Sequence, residues 1–272
     1  MRLRAVFAAL AAALTIATVA EAPTRLQPAQ ARAVSFARVA KPPGPVRLVA
    51  RGGLRQAQRW ARRRGGKVAF AVAGDGKLRG LAIHHRFYSA SVVKAMLALA
   101  VMRVAGDRAL TGGERGLLRP MVTYSDNDAA TAVYARVGAA PLNAIAAAAG
   151  MRHFAIGGNW ADARLTAYDQ ARLFLRIDRL APRRHRSYLR SLLGGIVPSQ
   201  RWGIAPVASE RGFHIMFKGG WRTGIFHQVA LLERDGKRIA LAVLTSGTDH
   251  AYGRVTQSGI AARVLAALPR RH

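Results

Sequence analysis

Ser91 and Lys94, in Ser91-Val92-Val93-Lys94, stand at the head of an apolar run that reads as a helix from about Ser91 to Val104. Residues three apart share a helix face, so the lysine amine can reach the serine hydroxyl. A serine at a helix N-terminus also meets the positive end of the helix dipole, which favours its alkoxide. A lysine whose pKa is depressed by burial can take the serine proton, and the pair is then a nucleophile with its base. On its own a Ser-x-x-Lys also describes a helix cap beside a solvated charge.

Two further motifs give the first one company. Ser125-Asp126-Asn127 precedes a helical run. It reads either as an N-cap with acidic residues in the first turn or as a loop whose Ser125 hydroxyl relays a proton to a leaving group. In the second reading Asn127 holds a substrate carbonyl and Asp126 braces the loop. Lys218-Gly219-Gly220 ends the run from Phe213 to Lys218, which reads as a strand. Glycines there let a substrate backbone lie against the strand, while the lysine brings positive charge; a plain strand end followed by a Gly turn fits the same residues.

These side chains need elements to hold them. Leu54, Ala57, Trp60 and Ala61 recur at helical spacing among arginines and predict an amphipathic first helix, ended by Gly65-Gly66. Runs from Val68 to Ala73 and from Lys77 to Ile83 around Gly74-Asp75-Gly76 predict a hairpin. Residues 108–195 lack strand signals and read as mostly helical. Phe213 to Lys218, Phe226 to Glu233 and Arg238 to Thr245 read as three strands, with Asp235-Gly236 turning between the last two, and Arg254 to Leu268 closes the chain as a helix. The expected fold class is therefore α+β. An antiparallel sheet of about five strands, drawn from both ends of the chain, is flanked by the N- and C-terminal helices, beside an all-helical lobe. The cleft between sheet and helices is the place for chemistry.

Ser-x-x-Lys, Ser-Asp-Asn and Lys-x-Gly occur here in the order, and at about the separations, of the class A β-lactamases and penicillin-binding proteins, which the chain resembles from Leu54 to Leu268. The resemblance implies that Ser91 is the acylated nucleophile, Lys94 its activating partner, Ser125 the proton relay and Lys218 the cationic anchor. It places the oxyanion hole at the Ser91 N–H and a backbone N–H near Gly220, and it implies no metal and no cofactor. The chain departs from the family twice. Its glutamates are Glu21, Glu114, Glu210 and Glu233, so the family's deacylating glutamate, after the Ser-Asp-Asn helix, is missing. Asp162 is the only acid in the segment from Gly157 to Thr166, open to a role as a shorter-armed base or to a local ion pair. Gly219 also stands where those enzymes carry Thr or Ser, a gap for Arg222 or Thr223 to fill.

Composition bounds the rest. With 272 residues and 51% hydrophobic content the chain can bury a real core. Arg2 and Arg4 before an apolar run from Ala5 to Ala20, then Ala20, Ala22, Ala29 and Ala31, predict a secretory signal peptide, and so a secreted, extracytoplasmic protein. The expected organisation is a signal peptide and leader over 1–31, an extended linker over 32–50 and one catalytic domain over 51–272, with an α/β lobe (51–88 and 205–272) and a helical lobe (89–204). There is no cysteine, so disulfides and thiolate metal sites play no part. The net charge of +30 is carried mostly by scattered arginine. With no nucleic-acid motif beside it, this reads as a solvated basic surface suited to anionic cell wall, not to specific nucleic acid. A monomer acting on a small or peptide-like substrate, a β-lactam or a cell-wall peptide, is expected.

Three rival readings remain. A Ser-His-Asp hydrolase could use His227, His84 or His85, although no G-x-S-x-G elbow surrounds Ser91. A D-alanyl peptidase or esterase shares Ser91 and Lys94 and differs in deacylation. A non-catalytic wall-binding protein could use the same scaffold.

Overall fold

A computed structural model describes residues 49–74 and 76–266. The expected signal peptide, nearly all of the expected linker, the hairpin tip at Asp75 and the tail beyond residue 266 lie outside the described residues.

The first helix, α1 (Arg51–Arg62), buries Leu54, Ala57 and Ala61 and turns its arginines outward, as its spacing predicts. β1 (Lys67–Gly74) and β2 (Lys77–Leu81) form the antiparallel hairpin, the second strand stopping two residues short of Ile83. The last three strands are β5 (His214–Arg222), β6 (Ile225–Arg234) and β7 (Lys237–Ser246). Asp235 and Gly236 turn between β6 and β7, both at positive φ (51° and 71°), the conformation a two-residue hairpin turn demands.

β1 joins β7 antiparallel, with Ala71 opposite Ala242, to give the order β2-β1-β7-β6-β5. Strands from both ends of the chain thus share one five-stranded sheet, with β5 at an edge. Eight successive residues of β6, Ile225 to Leu232, are buried, which requires cover on both faces. One cover is α9 (His250–Val264), with α1 and α8 (Ile204–Ser209) packed on it. The other is α6 (Ala167–Leu180), which lies on β1, β6 and β7. α6 therefore serves the sheet as well as the helices around it, although its sequence position puts it in the helical half.

α2 (Lys94–Ala105) buries ten of its twelve residues, the mark of a helix surrounded on all sides. α4 (Asn127–Val137) and α5 (Ala140–Ala149) pack on it. The middle of the chain is not free of strands, contrary to its composition. β3 (Arg86–Tyr88) and β4 (Arg164–Thr166) pair antiparallel, Phe87 opposite Leu165, and tie the segment before Ser91 to the loop that carries Asp162. Among the described residues no single helix is long and apolar enough to cross a membrane.

A closed ion-pair network staples α6 and α7 (Arg186–Gly194) to the sheet. Asp178 accepts from Arg190 at 2.9 Å and Arg238 at 2.6 Å, and Glu233 meets the same two arginines at 2.5 and 2.9 Å. Burial alone would raise the Asp178 pKa, but the hydrogen bonds and charges of Arg238 and Arg190 outweigh it and hold the carboxyl below its ordinary value. A carboxylate depressed in the fold adds stability above its unfolded pKa and loses it as the pH falls through the folded one. Asp178→Asn is expected to cost about 2–4 kcal/mol at pH 7, because it leaves two half-buried guanidinium groups short of a partner. Urea unfolding should also show the loss shrinking as the pH is lowered toward the acid limb.

Candidate active site

Ser91 does not open an α-helix directly. It sits in a 3-10 turn, Ala90–Val93, and α2 begins at Lys94. The turn is held from outside: Ser89 N–H donates to Ala163 O at 2.7 Å and Ser89 Oγ to Ala90 O at 2.9 Å. Ala90 takes a φ of 46°, a strained setting for a residue with a Cβ, of the kind found where a side chain must be aimed. The first N–H groups of such a turn have no acceptor inside it, so the Ser91 N–H is left facing β5.

Ser125 is strained too. A π-helical turn, Pro120–Tyr124, delivers it at φ 62°, and Asp126 N–H closes the loop onto Pro120 O at 3.1 Å. Asp126 Oδ1 then caps α4 by accepting from Ala129 N–H at 2.7 Å, the N-cap that one reading of this motif expected.

The Lys94 side chain is buried and turns into this loop. Its Nζ donates to Ser125 O at 2.5 Å and Asn127 Oδ1 at 2.7 Å, and approaches Ser125 Oγ at 3.4 Å. Among the described hydrogen bonds none joins Lys94 Nζ to Ser91 Oγ; those of the amine run to the Ser125–Asn127 loop instead. Burial lowers the Lys94 pKa to about 8, against the raising effect of Asp126.

Lys218 reaches the same hydroxyl from the other side. Its fully buried Nζ donates to Ser125 Oγ at 3.0 Å and Gly219 O at 2.9 Å. Burial, and then the neighbouring Lys94, push its amine well below the ordinary lysine range. A hydroxyl oxygen has two lone pairs. With two amines donating to Ser125 Oγ, its own proton is left to point elsewhere, toward the pocket.

Lys218-Gly219-Gly220 is not a strand end, as the glycine pair suggests. β5 runs on through Trp221 and Arg222, and the turn falls at Thr223-Gly224. Gly220 earns its place by proximity, since a Cβ there would lie 2.9 Å from Ser91 N and 2.8 Å from Val92 N. The edge strand thus passes directly against the serine turn, as two converging backbone donors require.

A pocket of about 280 Å³ is lined by Ala90, Ser91, Ser125, Asn127, Trp160, Ala161, Trp221 and Arg222. Lys94 and Lys218 meet it through Ser125. Thr223 is exposed in the turn beyond Arg222 and lies outside this lining. Asp162 does not turn toward Ser91: its exposed carboxylate pairs with Arg222 at 3.0 Å. That is an ion pair, as one reading of the loop had it, though with a partner 60 residues away instead of a local one such as Arg164.

The pocket also holds residues that motif reading passed over. Trp160 is buried, hydrogen-bonded from Nε1 to Thr131 Oγ1 at 3.2 Å, and its ring lies 4.7 Å from Lys94 Nζ. Trp221 follows the glycine pair, and an unbroken strand through that pair would have pointed to it. Nothing local marks Trp160.

His227 is fully buried in β6. Its Nδ1 accepts from Thr245 N–H at 3.2 Å, so Nε2 carries the proton and donates to Tyr88 O at 2.9 Å. Burial lowers its pKa to about 4. It is a neutral staple between strands. His84 pairs with His153 at 3.1 Å and His85 packs on Phe87. None of the three is hydrogen-bonded to Ser91 or to a carboxylate among the described residues, which removes the Ser-His-Asp arrangement.

Comparison with known proteins adds an independent line. A family model described as the beta-lactamase enzyme family matches residues 114–268, more than half of the chain. The matched stretch contains Ser125, Asn127 and Lys218 and begins after Ser91 and Lys94. The fold is similar to that of a β-lactamase from Sphaerobacter thermophilus, with a TM-score of 0.70 and 22% identity over 80% of this chain and 98% of that one. A β-lactamase from Chitinophaga pinensis gives 0.68 and 16% over 79% and 98%. One from Xanthomonas campestris pv. campestris gives 0.66 and 17% over 78% and 96%. At these identities the likeness is one of fold. Among curated protein sequences none matches the chain.

Proposed function

From the premise that this chain belongs to the beta-lactamase enzyme family, we propose that it is an exported serine acyl-transfer enzyme that opens a β-lactam, or a related amide or ester, through an acyl-enzyme on Ser91, and that it releases the acyl group slowly. The observation that carries the reading is the Ser125 hydroxyl held between the buried amines of Lys94 and Lys218, at 3.4 and 3.0 Å, on the wall of the pocket that contains Ser91.

In this mechanism neutral Lys94 takes the Ser91 proton as Ser91 Oγ bonds to the carbonyl carbon. The oxyanion is received by the Ser91 N–H and a β5 backbone N–H. Asn127, with its Oδ1 taken by Lys94, offers Nδ2–H to a substrate carbonyl. The carbon–nitrogen or carbon–oxygen bond then breaks and the leaving atom takes the Ser125 hydroxyl proton, which an ammonium beside it replaces.

Slow release is supported by what surrounds Lys94. The Trp160 ring fills the space at 4.7 Å, and the Asp162 carboxylate is engaged by Arg222. No carboxylate among the described residues is hydrogen-bonded to Lys94 or Ser91. The basic-then-apolar N-terminus supports export, and the net charge of +30 supports retention on anionic wall polymers.

Intact-protein mass spectrometry after exposure to benzylpenicillin tests the reading. One penicilloyl group should add to the wild type and persist for hours, and none should add to Ser91→Ala. A wild type that never gains the adduct overturns acyl transfer, and one that clears it within seconds overturns slow release.

A further inference from the structure

The outward face of α1 carries charge with nothing to balance it. Arg51, Arg55, Arg59 and Arg62 are all exposed. They follow one another at spacings of four, four and three residues, which sets them on one stripe of the helix. On an ideal helix that stripe is about 80° wide and about 16 Å long. Arg63 and Lys67, also exposed, extend the charge past the helix end. From Pro23 to Gly74 the sequence has twelve basic residues and no acidic one.

Such an arrangement works against the helix. Like charges three or four residues apart repel, and a cation in the first turn opposes the helix dipole. α1 has no acidic residue in its first turn and no side-chain cap from Ala50. None of the four guanidinium groups has a hydrogen bond or an ion pair among the described residues. Arg64, just past the helix end, is different: it reaches Thr256 Oγ1 at 2.9 Å and Tyr252 O at 3.2 Å. An anion from outside would relieve the repulsion along the stripe.

The chemistry of that anion follows from what the face lacks. The apolar side of α1, formed by Leu54, Ala57 and Ala61, is taken by α9, so α1 has no apolar face to lay into a bilayer as an interfacial helix does. Trp60 is only partly exposed, and the guanidinium carbons of Arg263 and Arg64 lie 4.1 and 5.2 Å from its ring centroid. Arginines thus already hold the ring on which a nucleobase would stack. The stripe does offer planar guanidinium groups about 6 Å apart along the axis, each a fork that pairs with two phosphate oxygens. A chain that brings one phosphate to each arginine in turn fits that repeat.

We propose that the α1 stripe is a docking surface for a linear phosphodiester polymer, which lies along Arg51, Arg55, Arg59 and Arg62. This rests on the retention of the exported protein on anionic wall polymers, to which it adds the face and the anion. α1 contributes nothing to the lining of the pocket that contains Ser91, so the polymer is held while the pocket stays open.

Fluorescence anisotropy of labelled poly(glycerol phosphate), titrated with the full chain over a range of salt, tests the surface. Wild type should bind, with log K falling linearly as log salt rises. R51Q/R55Q/R59Q/R62Q should bind about 30-fold or more weakly at about 0.1 M salt, with a slope shallower by about 2–3, the share of four phosphate contacts on a flexible strand. R136Q/R176Q/R179Q/R184Q removes the same charge from exposed arginines of α4, α6 and the turn after it, and should stay within about threefold of wild type because salt screens distant charges. Glutamine keeps the helix propensity of arginine. With the repulsion gone, the α1 variant should melt no lower than wild type at low salt, and penicillin should acylate it at the wild-type rate. R55Q/R59Q, a milder change, should lose about half as much slope. An equal loss in the two fourfold variants overturns the α1 surface and leaves retention by overall charge. A wild type that ignores the polymer overturns both. If the α1 variant keeps the polymer and loses duplex DNA or phosphatidylglycerol vesicles instead, the partner is a different one and the proposal is overturned.

Discussion

Lys94→Ala should lower the rate of acylation at Ser91 by about 10³-fold, within the range that a positioned general base supplies. The amine ties the Ser125–Asn127 loop together, since it donates to Ser125 O and Asn127 Oδ1 and lies beside Ser125 Oγ. Only its neutral form can accept a proton. With a pKa of about 8, the wild-type acylation rate should climb about tenfold per pH unit up to that value and level off above it. The variant should lose that dependence along with the rate. Stopped-flow acylation by a chromogenic cephalosporin, followed as a function of pH, measures both. Wild-type rates in Lys94→Ala would overturn the assignment of the base.

The same amine has a cost in stability. The drop in pKa from 10.5 to about 8 corresponds to about 3 kcal/mol of disfavoured charge in the fold. Between those two values the unfolded chain binds the proton and the folded chain does not, so stability rises with pH across that window and is lowest below it. Lys94→Met should therefore fold at least as stably as wild type near neutral pH while acylating poorly. That is the pattern of a residue kept for chemistry and not for packing.

How much of this could be read beforehand follows the range of the interactions. The sheet strands announce themselves, because Val68–Ala73, Phe226–Glu233 and Arg238–Thr245 are apolar runs bounded by turn residues. The spacing of Ser91, Lys94, Ser125, Asn127 and Lys218 is likewise visible along the chain. β3 and β4 are three residues each, too short for any period to show, and they are strands only because each supplies the other's partners. Gly219-Gly220 resembles a turn by composition, yet its small size serves an opposite end: it lets an extended strand pass against Ser91 N and lets Trp202 close on it. Trp160 and Trp202 enter through contacts with Lys94 and Phe226, distant in sequence, and no local pattern encodes such a meeting. Thr223 offers a hydroxyl just beyond the third motif. The four further residues of strand, from Gly219 to Arg222, carry it past the pocket.

Gly220→Ala should cut acylation by about 10²–10³-fold, the cost of misplacing an oxyanion-hole donor, while the protein still folds. The added Cβ would lie 2.8 Å from Val92 N, 2.9 Å from Ser91 N and 3.0 Å from Val92 Cγ2. Two of these are backbone atoms of a turn that Ser89 already pins to Ala163, so they cannot rotate away as the end of a flexible side chain would. β5 has to retreat instead. It is an edge strand, bonded on one side only to β6, and the whole segment from Lys218 to Arg222 can shift at a cost of about 1–3 kcal/mol for overpacking. The shift would pull the β5 N–H groups away from the Ser91 N–H and stretch the 3.0 Å contact of Lys218 Nζ with Ser125 Oγ. Donor geometry and proton relay would then fail together. Gly116→Ala, in α3 (Gly112–Arg119) with nothing within 4 Å of the added carbon, is the matched control. It should gain a few tenths to about 1 kcal/mol from the helix and acylate as wild type does. If Gly220→Ala acylates within a few-fold of that control, the oxyanion is not received between β5 and the serine turn, and the geometry derived for the attack on the carbonyl is wrong.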